Sequence, residues 1–165
     1  MIDTILSPIF YLKMNSPFDH LYNNKGKEIR LKFAEKCYNF FNVPQKYYDS
    51  IELFEKIHCI TLILDDIEDN SIKRRGKKAS HIIHGIPWTL GSALSEYMKI
   101  LKYISDNFPK SIIKIFIDEL NIGFDSQLKE IYHRDKNISL NYRNYKDIVN
   151  GKTVALFKSI IKIQI

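Results

Sequence analysis

The chain has 165 residues, 45% of them hydrophobic and 27% charged, with only six glycines and five prolines. That composition excludes a disordered polar chain and a Gly/Pro-rich linker, and the length is that of one domain with a sizeable core. Lysine and arginine outnumber aspartate and glutamate by 25 to 19, so anionic partners are favoured: phosphate esters, nucleic acid or an acidic membrane surface.

The first strong helical pattern covers Glu28–Phe41, with Ile29, Phe33, Cys37 and Phe40/Phe41 at helical spacing. Asn42-Val43-Pro44 breaks it, and Pro44 suits the first turn of a second helix, about Gln45–Asn70. Near its end that helix is apolar almost all round (Ile57, Cys59, Ile60, Leu62, Ile63, Leu64), which predicts a central position in a bundle. Ser71–Lys78 reads as a basic loop containing Gly76. His84-Gly85-Ile86-Pro87 is a second break, opening a helix over about Trp88–Asn107. After Phe108-Pro109 a long helix spans about Lys110–His133, with Ile113, Phe116, Ile117, Leu120, Phe124, Leu128 and Ile131 as its apolar face. A polar connection, Arg134–Asn141, leads to a last helix from about Tyr142, with Tyr145, Ile148, Val149, Leu156, Phe157, Ile160 and Ile161. Alternating Val- and Thr-rich strands are absent, so the expected fold class is all-α, a bundle of roughly six helices. The final Ser159–Ile165 segment is apolar and lacks a capping residue, which reads as a helical fold cut short at its C-terminal side.

No apolar run is long enough to span a membrane. The first fifteen residues carry an acid at position 3 and no basic stretch before their apolar part, unlike a signal peptide. Two cysteines, Cys37 and Cys59, do not make a disulfide scaffold and suit a reducing compartment. The expected location is the cytoplasm.

The chemistry concentrates at Asp65-Asp66-Ile67-Glu68-Asp69, four carboxylates in five residues at the end of an apolar helical run. On a helix Asp65 and Asp69 share a face and Asp66 sits about 100° round the axis. Two charges 4 Å apart repel by about 4 kcal/mol at an effective dielectric near 20, and the helix C-terminus adds a further unfavourable dipole. A divalent cation would offset both, and Mg²⁺ prefers carboxylate oxygens that leave room for water and substrate phosphates. A solvated acidic helix end that partners the adjacent basic run, Lys73-Arg74-Arg75-Gly76-Lys77-Lys78, is the alternative.

Taken together, these blocks resemble the polyprenyl diphosphate synthases, most of all the geranylgeranyl diphosphate synthases of eukaryotes. Asp65–Gly76 (DDIEDNSIKRRG) is similar to the family's first aspartate-rich region. Gly26-Lys27-Glu28-Ile29-Arg30 resembles its G-K-x-x-R motif, and His58 stands where the family has a histidine. His81, Gly85-Ile86-Pro87 and Ser92-Ala93 resemble further blocks in the right order, as do Gln127–Asp135 and Lys152-Thr153 with Phe157. The likeness runs from about Leu6 to Phe157 and makes residues 1–165 the N-terminal part of an isoprenoid-synthase-type helical domain.

The resemblance implies Mg²⁺-dependent condensation of isopentenyl diphosphate with an allylic prenyl diphosphate. It assigns Asp65, Asp66 and Asp69 to the metal and Arg74 to the allylic diphosphate. Lys27, Arg30, His58 and Arg75 fall to isopentenyl diphosphate, Lys152 and Thr153 to the departing diphosphate, and Gln127 to substrate binding. Lys152 shares a catalytic part with the aspartates. In the family, aromatics four or five residues before the first aspartate block a growing chain; here Thr61 and Ile60 stand there, which favours a product longer than farnesyl, geranylgeranyl first. Homo-oligomerisation, or association with a full-length synthase, is also implied.

Three departures qualify this. The second aspartate-rich motif of the family is not in the sequence, Glu130 replaces the aspartate of Q-x-x-D, and Leu94-Ser95-Glu96 stands where the family has N-Y-x. The expectation is therefore little or no turnover by this chain alone. A non-catalytic subunit that binds diphosphates or a synthase partner is the alternative. A terpene cyclase would also use D-D-x-x-D but has no second diphosphate to hold with Lys27, Arg30 and Arg75. A nucleic-acid binder would need a recognition motif, and none is present, so nucleic acid is not an expected partner.

Overall fold

The computed structural model describes residues 16–162. Eight α-helices occur among them: α1 (Pro17–Tyr22), α2 (Ile29–Phe40), α3 (Ile51–Glu68), α4 (Ser80–His84), α5 (Ile86–Asn107), α6 (Lys110–Asp135), α7 (Tyr142–Val149) and α8 (Ala155–Lys162). A 3₁₀ turn, Gln45–Ser50, precedes α3, and a π-helical segment, Asn150–Val154, joins α7 to α8. The fold is all-α, as expected. No described helix is long and apolar enough to cross a membrane. The expected apolar features before Ser16 lie outside the described residues.

The described residues group into two compact units. The first takes the residues up to Glu28 together with Glu55–Leu101; the second takes Ile29–Phe54 and the residues from Lys102 onward.

In the first unit, Ser16 caps α1 by accepting the Asp19 amide at 3.1 Å, and Pro17 occupies the first turn where no amide is needed. The Ser80 hydroxyl donates to the Pro17 carbonyl at 2.9 Å, and the Phe18 amide donates to Ser92 Oγ at 3.2 Å, tying α1 to α4 and α5. Ile57, Cys59, Ile60 and Ile63 of α3 are all buried. Residues one and two apart, such as Cys59 and Ile60 or Ile57 and Cys59, point to different sides of a helix, so this segment is covered on more than one side, as its all-round apolarity predicts.

In the second unit the Tyr38 and Ser50 hydroxyls share a buried hydrogen bond of 2.7 Å, and Phe54 packs against Phe116. Phe33 meets Phe157 edge-on at 5.2 Å between ring centroids, and Lys162 pairs with buried Glu119 at 2.5 Å.

Several expectations require correction. The helix predicted over Gln45–Asn70 begins as a 3₁₀ turn and becomes α-helical only at Ile51, with Pro44 before the turn rather than inside it. The helix predicted from Trp88 starts at Ile86, Pro87 falling in its first turn. Ser71–Lys78 is not a plain loop: Lys73–Arg74 pairs antiparallel with Lys77–Lys78 as a minimal hairpin, β1 and β2. Its two-residue turn has Arg75 at φ 51° and Gly76 at φ 78°, the left-handed pair that matches strand twist.

The predicted apolar face of α2 is displaced. Ala34 and Tyr38 are buried, while Ile29 and Phe40 are 57% and 79% exposed. Ile117 and Leu128 on α6, and Tyr145 on α7, are likewise exposed, whereas Glu119 and Ser126 are buried. Hydropathy ranked these side chains by type, but the helix rotation follows specific contacts such as Tyr38 to Ser50.

Three helices end alike. Asn42, Asn70 and Asn137 adopt φ of 51–52°, and in each case the next amide reaches back five residues: Val43 to Tyr38, Ser71 to Asp66, Ile138 to His133. These are Schellman caps with asparagine in the left-handed position, a stop signal legible in the sequence.

Candidate active site

The Schellman cap ends α3 just after the acidic run, and the hairpin brings the chain back over it. Arg74, on β1, places its guanidinium between the first two acids. Its Nε and Nη2 donate to Asp66 Oδ1 at 2.8 and 2.5 Å, and Nη2 donates to Asp65 Oδ2 at 3.1 Å. Asp66 is 2% exposed and Arg74 half-buried. The hydrogen bond to Asp66 is the main cause that raises the Arg74 pKa, so this guanidinium stays charged. Here the repulsion expected between adjacent carboxylates is offset by a shared cation. Asp69 lies past the last residue of α3 and is exposed.

Arg75 occupies the turn and faces other partners in the same unit. Its Nη1 donates to the Asn24 carbonyl at 2.8 Å, and its Nη2 lies 3.5 Å from Glu55 Oε1. Asn24 Nδ2 returns bonds of 3.5 Å to the Arg74 and Arg75 carbonyls. The hairpin is thus tied to the Asn24–Lys27 loop, which carries Gly26 and exposed Lys27. His58, on α3, is half-buried, and its carbonyl accepts the Thr61 hydroxyl at 2.9 Å. The structure therefore brings Asp65, Asp66, Arg74, Arg75 and the Lys27 loop together in the first unit.

Burial pushes the Cys59 thiol up to about 11 from 9.0, partly countered by Arg75. Between those values the unfolded chain releases this proton and the folded chain keeps it, so stability falls as pH rises from about 9 to 11. Cys37 is only half-buried. Iodoacetamide at pH 8 is expected to alkylate Cys37 first; peptide mass mapping that found Cys59 modified first would contradict this packing.

Arg30, Gln127, Glu130, Lys152 and Thr153 belong to the second unit. Arg30 opens α2 with its guanidinium 5.3 Å above the Phe157 ring. Gln127 and Glu130 lie on α6, and Lys152 and Thr153 on the π-helical segment. Lys152 Nζ forms an ion pair with Glu130, so the substituted carboxylate takes up this lysine directly. The π segment lets Gly151 lie against α6 near Ile122 and Ser126, an arrangement that periodicity could not reveal.

Among the described residues no three His, Cys, Asp or Glu side chains converge closely enough to hold a metal ion by themselves. Asp65 and Asp66 converge on the Arg74 guanidinium. Two hard carboxylates still fit Mg²⁺, which takes one or two protein carboxylates and completes its shell with water and phosphate oxygens.

Sequence reasoning passed over Glu55 and Glu119, both 2% exposed. Glu55 follows Glu52 by three residues and adjoins Lys56, so nothing in the sequence marked it as buried.

A likeness to known proteins covers the chain. The geranylgeranyl pyrophosphate synthase of Dictyostelium discoideum is 33% identical over 147 residues, 88% of this chain and 48% of that protein. That of Eremothecium gossypii is 30% identical over 158 residues, 91% of this chain and 49% of that protein. The chain thus spans about half the length of these curated relatives. A crystal structure of an isoprenoid synthase family member from Thermotoga neapolitana superposes with a TM-score of 0.81 at 18% identity, covering 87% of this chain and 57% of that one, which shows a common fold. With the polyprenyl synthetase family model matching residues 12–165, and the acid-rich helix end and twin-arginine hairpin joined as described, the chain belongs to the polyprenyl synthetase family.

Proposed function

We propose that this chain serves prenyl chain elongation, binding an allylic diphosphate at Asp65, Asp66, Asp69 and Arg74 and isopentenyl diphosphate through Lys27, Arg30, His58 and Arg75. The observation that carries the reading is the Arg74 guanidinium shared by two carboxylates beside the Arg75-anchored Lys27 loop. Arg74 would give planar donors to diphosphate oxygens, for which guanidinium geometry is suited. Asp65, Asp66 and Asp69 would hold Mg²⁺, whose charge stabilises negative charge on a departing diphosphate. Lys152, Thr153 and Gln127 would contribute from α6 and the π segment, with Glu130 keeping Lys152 placed until an anion competes for it. Apolar α3 residues such as Ile60 exclude water from the reacting carbon. Without an aromatic at positions 60 and 61, the favoured product is geranylgeranyl diphosphate.

The test is calorimetric titration with farnesyl thiolodiphosphate, which resists ionisation. Binding is expected to require Mg²⁺ and to weaken about tenfold or more in Asp66→Asn, since charge-assisted bonds are worth about 1.5–3 kcal/mol. Binding that is indifferent to EDTA, or to Asp66→Asn, would refute the assignment.

A further inference from the structure

Glu55 has no place in the chemistry above, yet it is an acid buried to 2% exposure on α3, beside buried Leu53, Phe54, Ile57 and Cys59. Burying a carboxylate is costly unless it is well paired, and this pairing is imperfect. Oε1 lies 3.5 Å from Arg75 Nη2, and Oε2 has no hydrogen-bond partner. A merely stabilising role would be better served by an apolar side chain of similar volume.

The guanidinium that Glu55 faces is held on its other sides by the Asn24–Lys27 loop. Nη1 donates to the Asn24 carbonyl at 2.8 Å. Gly26 lies so close that a Cβ there would sit 2.8 Å from both Cζ and Nε of Arg75, so a larger residue would push the guanidinium aside. Burial keeps the nearby Cys59 thiol protonated at neutral pH, and Glu55 supplies the carboxyl group that faces Arg75. Arg75 also sits at φ 51° in the hairpin turn, which limits where its side chain can start.

We propose that Glu55 is a positioning residue: acting through Arg75, it sets the Asn24–Lys27 loop, and with it Lys27, for the homoallylic diphosphate. This rests on the reading of Lys27 as a ligand of isopentenyl diphosphate. Glu55 orients the guanidinium, the guanidinium holds the loop by its carbonyl and its glycine, and the loop carries the lysine.

Two substitutions press on the same guanidinium from opposite sides. Glu55→Gln removes the charge at constant shape; Gly26→Ala crowds the guanidinium from the loop. In the whole chain, each is expected to speed amide exchange at Gly26 and Lys27 about tenfold and to weaken isopentenyl diphosphate about tenfold, with farnesyl thiolodiphosphate affinity within about twofold of wild type. Glu55→Asp should restore much of the loss, and the double variant should add little to either single one. Unchanged exchange at Gly26 and Lys27 in Glu55→Gln would overturn the proposal. So would equal weakening of both diphosphates, which marks a general loss of structure. If the wild-type chain bound no isopentenyl diphosphate, the ligand reading would fall, while the exchange measurement would still decide the link from Glu55 to the loop.

Discussion

Gly151→Ala is expected to lower stability by about 3 kcal/mol, at the upper end of the usual overpacking range. In an ordinary helix the same change gains about 1 kcal/mol, because alanine orders the backbone at less entropic cost. Here the added Cβ would fall 1.8 Å from Ser126 Oγ, 2.5 Å from Ser126 Cβ and 2.8 Å from the Ile122 carbonyl oxygen. Rotating the serine hydroxyl relieves only the first contact. The other two require α6 and the π segment to separate, and Ser126 is itself buried. For a chain of this size the melting temperature should drop by about 6–12 °C. Ser126→Gly, which removes both side-chain obstacles, should recover part of the loss in the double variant. A Gly151→Ala protein melting at or above the wild type would show that the segments are not packed as described.

Arg74→Met should cost about 3 kcal/mol in urea unfolding, because it strips the partner from Asp66 and leaves a buried carboxylate uncompensated. The lower end of the range applies because Arg74 is itself partly open to solvent. Asp66→Asn should cost less, about 1 kcal/mol, since the half-exposed guanidinium it releases can be hydrated. The double variant should lose less than the sum of the two, as expected for groups in direct contact. Arg74→Lys should rescue only part, because an ammonium cannot reproduce the planar array that meets both Asp65 and Asp66. If Arg74→Met unfolds at the wild-type urea concentration, the guanidinium is not the compensating charge and its assignment to the diphosphate loses its support.

The candidate site residues were legible because their types and order are unusual in themselves. Four acids at the end of an apolar run oppose both Coulomb repulsion and the helix dipole, and two arginines before a glycine follow at once. Helix existence was also legible, since periodicity is a property of the chain. Which face each helix buries was less so: Phe40 is exposed, while Tyr38, two residues away and so on another side of the helix, is buried with its hydroxyl bonded to Ser50. The hairpin escaped notice because each strand has two residues, too few to show alternation. The signal that was present, Arg-Gly at a turn demanding two positive φ angles, lay inside a run that reads as charge.

By itself the sequence determined an all-α fold, the family, and the acidic and basic runs proposed for the site, because residue type, order and period survive without a structure. The tertiary structure alone decided how those charges are apportioned: Arg74 to Asp65 and Asp66, Arg75 to Asn24 and buried Glu55, Lys152 to Glu130 across a π segment admitted by Gly151. Pairing of this kind depends on distances of a few ångströms between residues far apart in the chain, and spacing along a sequence does not encode them.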